Sequence, residues 1–171
     1  MNKKNTLLLF LCLFCLWAVA QEKKPVKIAC VGNSITYGSG IKNQFQNSYP
    51  GLLSQLLGEG YDVRNFGISA RVMLNKGDHP YMHEQKFRDL LAFQPDIVTI
   101  KLGTNDSKPW NWHYGKDFGK DLTEMLDILQ DLPSKPKIYL CFPVPAVKRN
   151  FGINDLSLIH ISEPTRLRRI S

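Results

Sequence analysis

Three short motifs contain residue types that suit acyl transfer. Ser34 lies in GNSITYGSG, Gly67 in NFGISA and Asn105 in LGTND. A serine hydroxyl can attack a carbonyl carbon, and the oxyanion that forms is stabilised by hydrogen-bond donors fixed before the reaction. The backbone N–H groups of Ser34 and Gly67 and the side-chain amide of Asn105 are candidate donors. A glycine at position 67 would also leave the backbone open to substrate.

Each motif directly follows a stretch that is typical of a buried β-strand. These stretches are 26–31, 61–66 and 96–102, and a fourth covers 137–142. Apolar residues at helical spacing predict three helices between them. The helical stripes are Tyr49, Leu52, Leu53, Leu56 and Leu57; Met82, Phe87, Leu90 and Leu91; and Phe118, Leu122, Met125, Leu126 and Leu129. Ser48 is positioned to cap the first helix, and Gly58 and Gly60 to end it.

The alternation of apolar strands with helices predicts an α/β fold with a parallel sheet. We expect a flavodoxin-like three-layer sandwich with strand order 2-1-3-4. Right-handed crossovers bring the carboxyl ends of all strands to one edge, where open α/β sheets bind ligands. The first strand then lies about 4.8 Å from the second and from the third. Ser34 is therefore expected to be flanked by Gly67 and Asn105.

Each motif has a simpler explanation when taken alone, since GNS can be an ordinary strand-to-helix turn and LGTND an Asx-turn. Together, over about residues 26–155, they resemble the SGNH or GDSL family of serine hydrolases, whose first three blocks look like GNSIT, NFGIS and LGTND. The resemblance implies that Ser34 is the nucleophile and that Gly67 and Asn105 belong to the oxyanion hole. Asn33 replaces the aspartate of the GDSL motif, as in the carbohydrate-esterase branch of the family.

The fourth block of that family, an Asp-x-x-His sequence that supplies the general base and its orienting carboxylate, has no clear counterpart here. We leave Asp155 and His160 unassigned, and we assign His79, His83 and His113 to surface or structural roles. A serine without a base stays protonated near neutral pH. We therefore expect the parent gene to encode an esterase, and this chain, without the final βα unit of the fold, to be catalytically impaired.

The two ends of the sequence differ from the domain at 21–155. Residues 1–20 combine two lysines, an apolar stretch and the triplet AVA, the pattern of a secretory signal peptide cleaved after Ala20. A retained membrane anchor is the alternative. Residues 156–171 begin with LSLIHISEPTR, which resembles the translation of a transposase sequencing adapter; a genuine C-terminal strand and basic tail is the alternative. We expect a secreted or periplasmic protein without a stable membrane anchor.

More than half of the net positive charge comes from these two ends. The formal charge is +7, and leaving out the five basic residues and one acidic residue of the ends lowers it to +3. Such a small excess argues against a nucleic-acid partner. Cys30 and Cys141 each lie in an apolar run, so we interpret them as buried apolar side chains rather than as a disulfide or metal site.

Aromatic residues follow Asn105 in the segment KPWNWHYG, where Trp110 and Trp112 lie beside the presumed pocket. Their rings can stack on sugars, although any one of them can instead pack into the core. Together with secretion and the family branch, they favour a small-molecule or polysaccharide ester, above all an O-acetylated carbohydrate, with no cofactor. Lipid esters and thioesters stay open, and residues 76–78 are a further segment that can border substrate.

Two other classes of protein are compatible with parts of this pattern. A flavodoxin-like module would bind the phosphate of a flavin or nucleotide at GNSITYGSG, although the sequence lacks GxGxxG and a Walker lysine. A non-catalytic carbohydrate-binding protein would keep the tryptophans and have no use for Ser34. Flavin titration and fluorophosphonate labelling separate these two classes from an esterase.

Overall fold

A computed structural model describes residues 24–143 and 152–153 of the chain. The expected signal peptide, its cleavage after Ala20, and the segment 156–171 lie outside the described residues, as do Asp155 and His160. No helix in the described part is long and apolar enough to span a membrane.

Four parallel strands form one sheet in the order β2-β1-β3-β4, which confirms the predicted fold class and strand order. The strands are β1 (Val26–Gly32), β2 (Tyr61–Gly67), β3 (Ile97–Lys101) and β4 (Lys137–Leu140). In this register Gly32 lies opposite Gly67 on one side and Lys101 on the other. The three predicted motifs therefore leave the sheet side by side.

Six α-helices and two short 3₁₀ helices connect the strands in the described part of the chain. The α-helices are α1 (Ser34–Tyr37), α2 (Gln44–Asn47), α3 (Tyr49–Leu57), α4 (Gln85–Phe93), α5 (Pro109–Trp112) and α6 (Phe118–Gln130). The 3₁₀ helices cover Tyr81–His83 and Gly115–Asp117.

The main apolar core lies between one face of the sheet and the helices α4 and α6. Ala29 and Val31 of β1 and Val98 and Ile100 of β3 point into it. The predicted stripe of α6 is confirmed, since each of its members is buried against these strands. Burying such a stripe is the main source of stability for a helix in water.

Helix α3 covers the opposite face, where Tyr49 and Thr99 share a hydrogen bond of 3.2 Å between their side-chain oxygens. The predicted stripe of α3 is wrong in part, because Leu52 is 47% exposed and Leu56 84% exposed. The partly buried members, Tyr49, Leu53 and Leu57, are four residues apart. The helix therefore contacts the sheet through this single row of side chains, and Leu52 and Leu56 lie outside the contact.

The two cysteines of the described part have different surroundings. Cys30 is buried in the middle of β1, as predicted, but Cys141 is exposed, which corrects the sequence-based interpretation. Cys141 follows β4, the outer strand on that side of the sheet, and its backbone N–H donates to the carbonyl of Ile100. A residue that follows an outer strand can thus form a backbone hydrogen bond to the neighbouring strand while its side chain stays exposed to solvent.

Candidate active site

Ser34 is the first residue of the short helix α1, directly beyond the carboxyl end of β1. The side-chain oxygen of Asn33 accepts a hydrogen bond of 3.0 Å from the backbone N–H of Ile35, which caps the helix. Gly38, with φ of 89°, ends it in the left-handed conformation that glycine adopts without strain. Ser34 is partly exposed, and its hydroxyl makes no hydrogen bond within the described residues. The hydroxyl is therefore free to meet a substrate.

Glycines hold α1 close against the sheet. A Cβ atom on Gly32 would lie 2.0 Å from Oγ1 of Thr36, and one on Gly67 would lie 2.3 Å from the backbone nitrogen of Tyr37. Neither distance is possible for non-bonded atoms. Glycine is thus needed at position 67 because the backbone of α1 packs on it, and the access for substrate predicted from the sequence stays a prediction.

The backbone N–H of Gly67 already has a partner. It donates to Oδ1 of Asn65 at 2.8 Å, while Nδ2 of the same amide donates to the carbonyl of Thr36 at 2.9 Å. Asn65 therefore ties the end of β2 to α1. The predicted role of Gly67 as an oxyanion donor requires that the Asn65 side chain turn away or share this hydrogen.

Asn105 is buried in the loop that follows β3. Its side-chain amide donates to the carbonyl of Arg71 at 3.1 Å, which joins the loop after β3 to the segment after β2. The Arg71 guanidinium is anchored in turn by a partly buried ion pair of 2.8 Å with Glu84. An amide carries two hydrogens, so Asn105 keeps one donor beyond the bond to Arg71.

Asp106, next to this amide, is completely buried. Its Oδ1 accepts hydrogen bonds of 2.8 Å from the backbone N–H groups of Met73 and Leu74. Burial raises the pKa of the Asp106 carboxyl to about 6, although these backbone hydrogen bonds oppose the shift. The residue shapes the loop that carries Asn105 and lies too deep to meet a substrate.

Asn111 and Asp78 form a second contact to the Asn105 loop. Nδ2 of Asn111 donates to the carbonyl of Asn105 at 3.0 Å and to Oδ1 of Asp78 at 3.1 Å. Oδ2 of Asp78 accepts from Nε1 of Trp110 at 3.1 Å. Asp78, in the segment that sequence analysis placed near substrate, thus contacts one of the predicted aromatic residues.

The two predicted sugar-binding tryptophans have different environments. Trp110 is 55% exposed, with Lys108 Nζ 5.6 Å from the centre of its ring. Trp112 instead packs against the core, its ring centre 6.2 Å from that of Phe118. Trp112 is thus partly buried, as the alternative of core packing predicts, whereas Trp110 presents more of its surface to solvent; a substrate-binding role for either ring stays a prediction.

His79, His83 and His113 are all exposed, which confirms their predicted place at the surface. Lys76 pairs with Asp117 at 2.9 Å on the surface, and its place beside substrate stays a prediction. No group of three or more potential metal ligands occurs among the described residues.

A match to a known protein family shows to which family the chain belongs. Residues 30–164 match the family described as GDSL-like Lipase/Acylhydrolase. The chain belongs to this family. The matched range contains Ser34, Gly67 and Asn105, and it extends into the segment 156–171.

Several relatives of this GDSL-family chain are known. An acetylxylan esterase from Xylanibacter ruminicola is 50% identical over 153 residues, which cover 80% of this chain and 32% of the relative. Est24, a carbohydrate acetylesterase from Sinorhizobium meliloti, has a TM-score of 0.64 at 20% identity, over 82% of this chain and 78% of that one. AlinE4, an SGNH-hydrolase family esterase, has a TM-score of 0.56 at 22% identity, over 82% and 70%. The two structures share the fold with the GDSL-family chain.

Four residues that shape the site of this GDSL-family chain were not predicted from the sequence: Asn65, Arg71, Asp106 and Asn111. Two of them had a signal, since Asn65 precedes Gly67 within NFGISA and Asp106 ends LGTND. Asn111 lies between the two tryptophans, and no motif in the sequence indicates a role for it. Arg71 contacts Asn105 through its backbone carbonyl. Every residue type has this group, so the residue type at position 71 could not predict the contact.

Proposed function

We propose that this chain is a serine esterase that removes O-acetyl groups from carbohydrates. The observation that carries the proposal is the free Ser34 hydroxyl at the end of β1, with the buried amide of Asn105 held at the end of the adjacent strand β3. The acetylxylan esterase relative supports an acetyl group on a xylan chain as the substrate. Trp110, exposed at the rim, supports a sugar ring there.

In this proposal Oγ of Ser34 attacks the acetyl carbonyl carbon, and the C=O electron pair moves to the oxygen. The backbone N–H of Ser34 and the free amide hydrogen of Asn105 stabilise that oxyanion, with Gly67 as a third donor once Asn65 releases it. Collapse of the intermediate expels the sugar hydroxyl and leaves an acetyl-serine, which water then hydrolyses. The donors of Ser34 and Asn105 are fixed by the fold before substrate arrives, and that pre-organisation is the source of their effect.

The proton of Ser34 must pass to a base during the attack. His79, His83 and His113 are exposed, and the Ser34 hydroxyl has no partner among the described residues. We therefore expect slow turnover, on the order of the 10³-fold to 10⁴-fold acceleration over water that an oxyanion hole and binding provide without a complete triad. We further propose a secreted or periplasmic location, where a polysaccharide is accessible.

Acetate release from acetylated xylan tests the proposal. We expect the purified chain to release acetate above the buffer rate and Ser34→Ala to lose this excess completely. Ser54→Ala, a serine substitution on α3 outside the three motifs, is the matched control and keeps the rate. Equal rates for the parent chain and Ser34→Ala would contradict the proposal. Labelling by a fluorophosphonate at Ser34 is the second measurement, since a non-catalytic carbohydrate-binding protein would not react.

A further inference from the structure

Asn111, in the short helix α5, makes three hydrogen bonds through its side chain. It is 1% exposed, and both ends of its amide are occupied. Nδ2 donates to the carbonyl of Asn105 and to Oδ1 of Asp78, and Oδ1 accepts from the backbone N–H of Asp78 at 2.9 Å. A buried amide with satisfied donors and acceptor fixes the groups around it, because any displacement leaves a polar atom unpaired.

Asp78 extends this contact to the rim of the site. One of its oxygens binds Asn111 and the other accepts from Nε1 of Trp110. Partial burial opposes ionisation of Asp78, but hydrogen bonds from Trp110 and Asn111 outweigh it and hold the pKa of this carboxyl below its usual value. The carboxylate is thus an ionised acceptor for both donors at neutral pH.

Asn105 is consequently held at two points. Its carbonyl accepts from Asn111, and its own amide donates to the carbonyl of Arg71. A donor that stabilises an oxyanion must be placed within a fraction of an ångström, and residues that fix its backbone control that placement.

We propose that Asp78 and Asn111 are positioning residues that hold the oxyanion amide of Asn105 and the rim residue Trp110 in one rigid unit. This inference rests on the function proposed above. It assigns Asp78 a role through other residues rather than in direct contact with the reacting atoms. It also implies that the position of a sugar on Trp110 and the position of the oxyanion donor are set by the same carboxylate.

The first test compares Asp78→Asn with Asp62→Asn in the complete chain. Asp78→Asn keeps the size of the side chain but turns an NH₂ group toward a donor, either Trp110 or Asn111. Asp62→Asn is the matched control, because Asp62 also accepts two hydrogen bonds, from Arg64 on the outer strand β2, and contacts no site residue. With a small aryl acetate, we expect Asp78→Asn to lower kcat about tenfold to a hundredfold, with KM within about twofold. Asp62→Asn keeps both values.

Two further variants separate the contact of Asp78 with Trp110 from its contact with Asn111. Asn111→Ala removes the hydrogen bond to the carbonyl of Asn105, so we expect kcat for the aryl acetate to fall at least tenfold, with KM within about twofold. In the Trp110→Phe background Asp78→Asn must still lower kcat, because its effect reaches Asn105 through Asn111. Unchanged kcat in both Asp78→Asn and Asn111→Ala, with the chain folded, would overturn the inference. So would a loss confined to KM.

Side-chain amide signals in a ¹H–¹⁵N spectrum test the same inference without turnover. We expect the Asn105 amide and the Trp110 indole signals to shift in Asp78→Asn and to stay in place in Asp62→Asn. If the parent chain releases no acetate but these shifts occur, the proposed function fails while the positioning unit stands. An Asn105 signal that stays in place in both Asp78→Asn and Asn111→Ala overturns the positioning unit itself.

Discussion

The turn that carries Ser34 and the loop that carries Asn105 end neighbouring strands, but different forces hold them. Around Ser34 the fit is steric, since Gly32 and Gly67 leave no room for one more carbon atom against α1. Around Asn105 the fit is polar, since Asp106 and Asn111 are buried and bind backbone groups of the surrounding loops.

This difference suits the two proposed roles. The Ser34 hydroxyl has no partner within the described residues and is thus open to a substrate and a base, because backbone packing rather than its own side chain fixes its position. A donor amide tolerates a second hydrogen bond, so Asn105 can be fixed by its own polar groups. We therefore expect substitutions in the two regions to destabilise the protein for different reasons, steric around Ser34 and polar around Asn105.

The largest effect is expected from adding a methyl group on the steric side. Gly67→Ala places a carbon 2.3 Å from the backbone nitrogen of Tyr37, so α1 must move away from the sheet. We expect a loss of about 3 kcal/mol or more in the free energy of unfolding, measured by urea denaturation. Gly119→Ala on α6, where a Cβ meets no atom within 4 Å, is the control and should be neutral or slightly stabilising. A stable, unshifted Gly67→Ala variant would contradict the steric account.

The second largest effect is expected from ionisation of Asp106, on the polar side around Asn105. The folded pKa of Asp106, about 6, lies above its ordinary value of 3.8 because the carboxyl is buried. The folded state therefore binds this proton more tightly than the unfolded chain, so the contribution of Asp106 to stability is complete below about pH 4 and is lost as pH rises through 6. We expect the stability difference between the parent chain and Asp106→Asn to fall by up to about 3 kcal/mol from pH 4 to pH 7.

Urea denaturation of both proteins at several pH values measures this difference. Asp106→Asn keeps an acceptor for the N–H groups of Met73 and Leu74, so both proteins should fold. Parallel pH profiles would show that the carboxyl is not perturbed and that the polar side is held by hydrogen-bond geometry alone.

The smallest effect is expected from the hydrogen bond that caps α1 on the steric side. Asn33→Ala removes the cap on the backbone N–H of Ile35, while Asn33→Ser keeps an oxygen at that position. Serine is a good capping residue, so we expect Asn33→Ser to be about 1 kcal/mol more stable than Asn33→Ala by the same measurement. Equal stability of the two variants would contradict a stabilising role for this cap.

Much of the fold followed from local patterns. The four strands lie close to where apolar runs placed them, and the helix α6 buries every residue of its predicted stripe. The prediction for α3 was partly wrong, because helical spacing shows which residues share a side and does not show how wide the contact with the sheet is. The site followed the same division: Ser34, Gly67 and Asn105 come from motifs at strand ends, whereas the bond from Gly67 to Asn65 could not be read from residue types.

By itself, the sequence determined which residues leave the sheet at its carboxyl edge, because periodicity and glycine-rich turns act over a few neighbours along the chain. Only the tertiary structure decided what those residues touch. Trp110 and Trp112 are two positions apart in the chain, yet one is exposed beside Asp78 and the other packs on Phe118. Asp106 binds backbone groups that lie 33 and 32 residues earlier in the chain. Such choices depend on the directions in which side chains point across distant segments, and those directions are fixed only when the segments pack together.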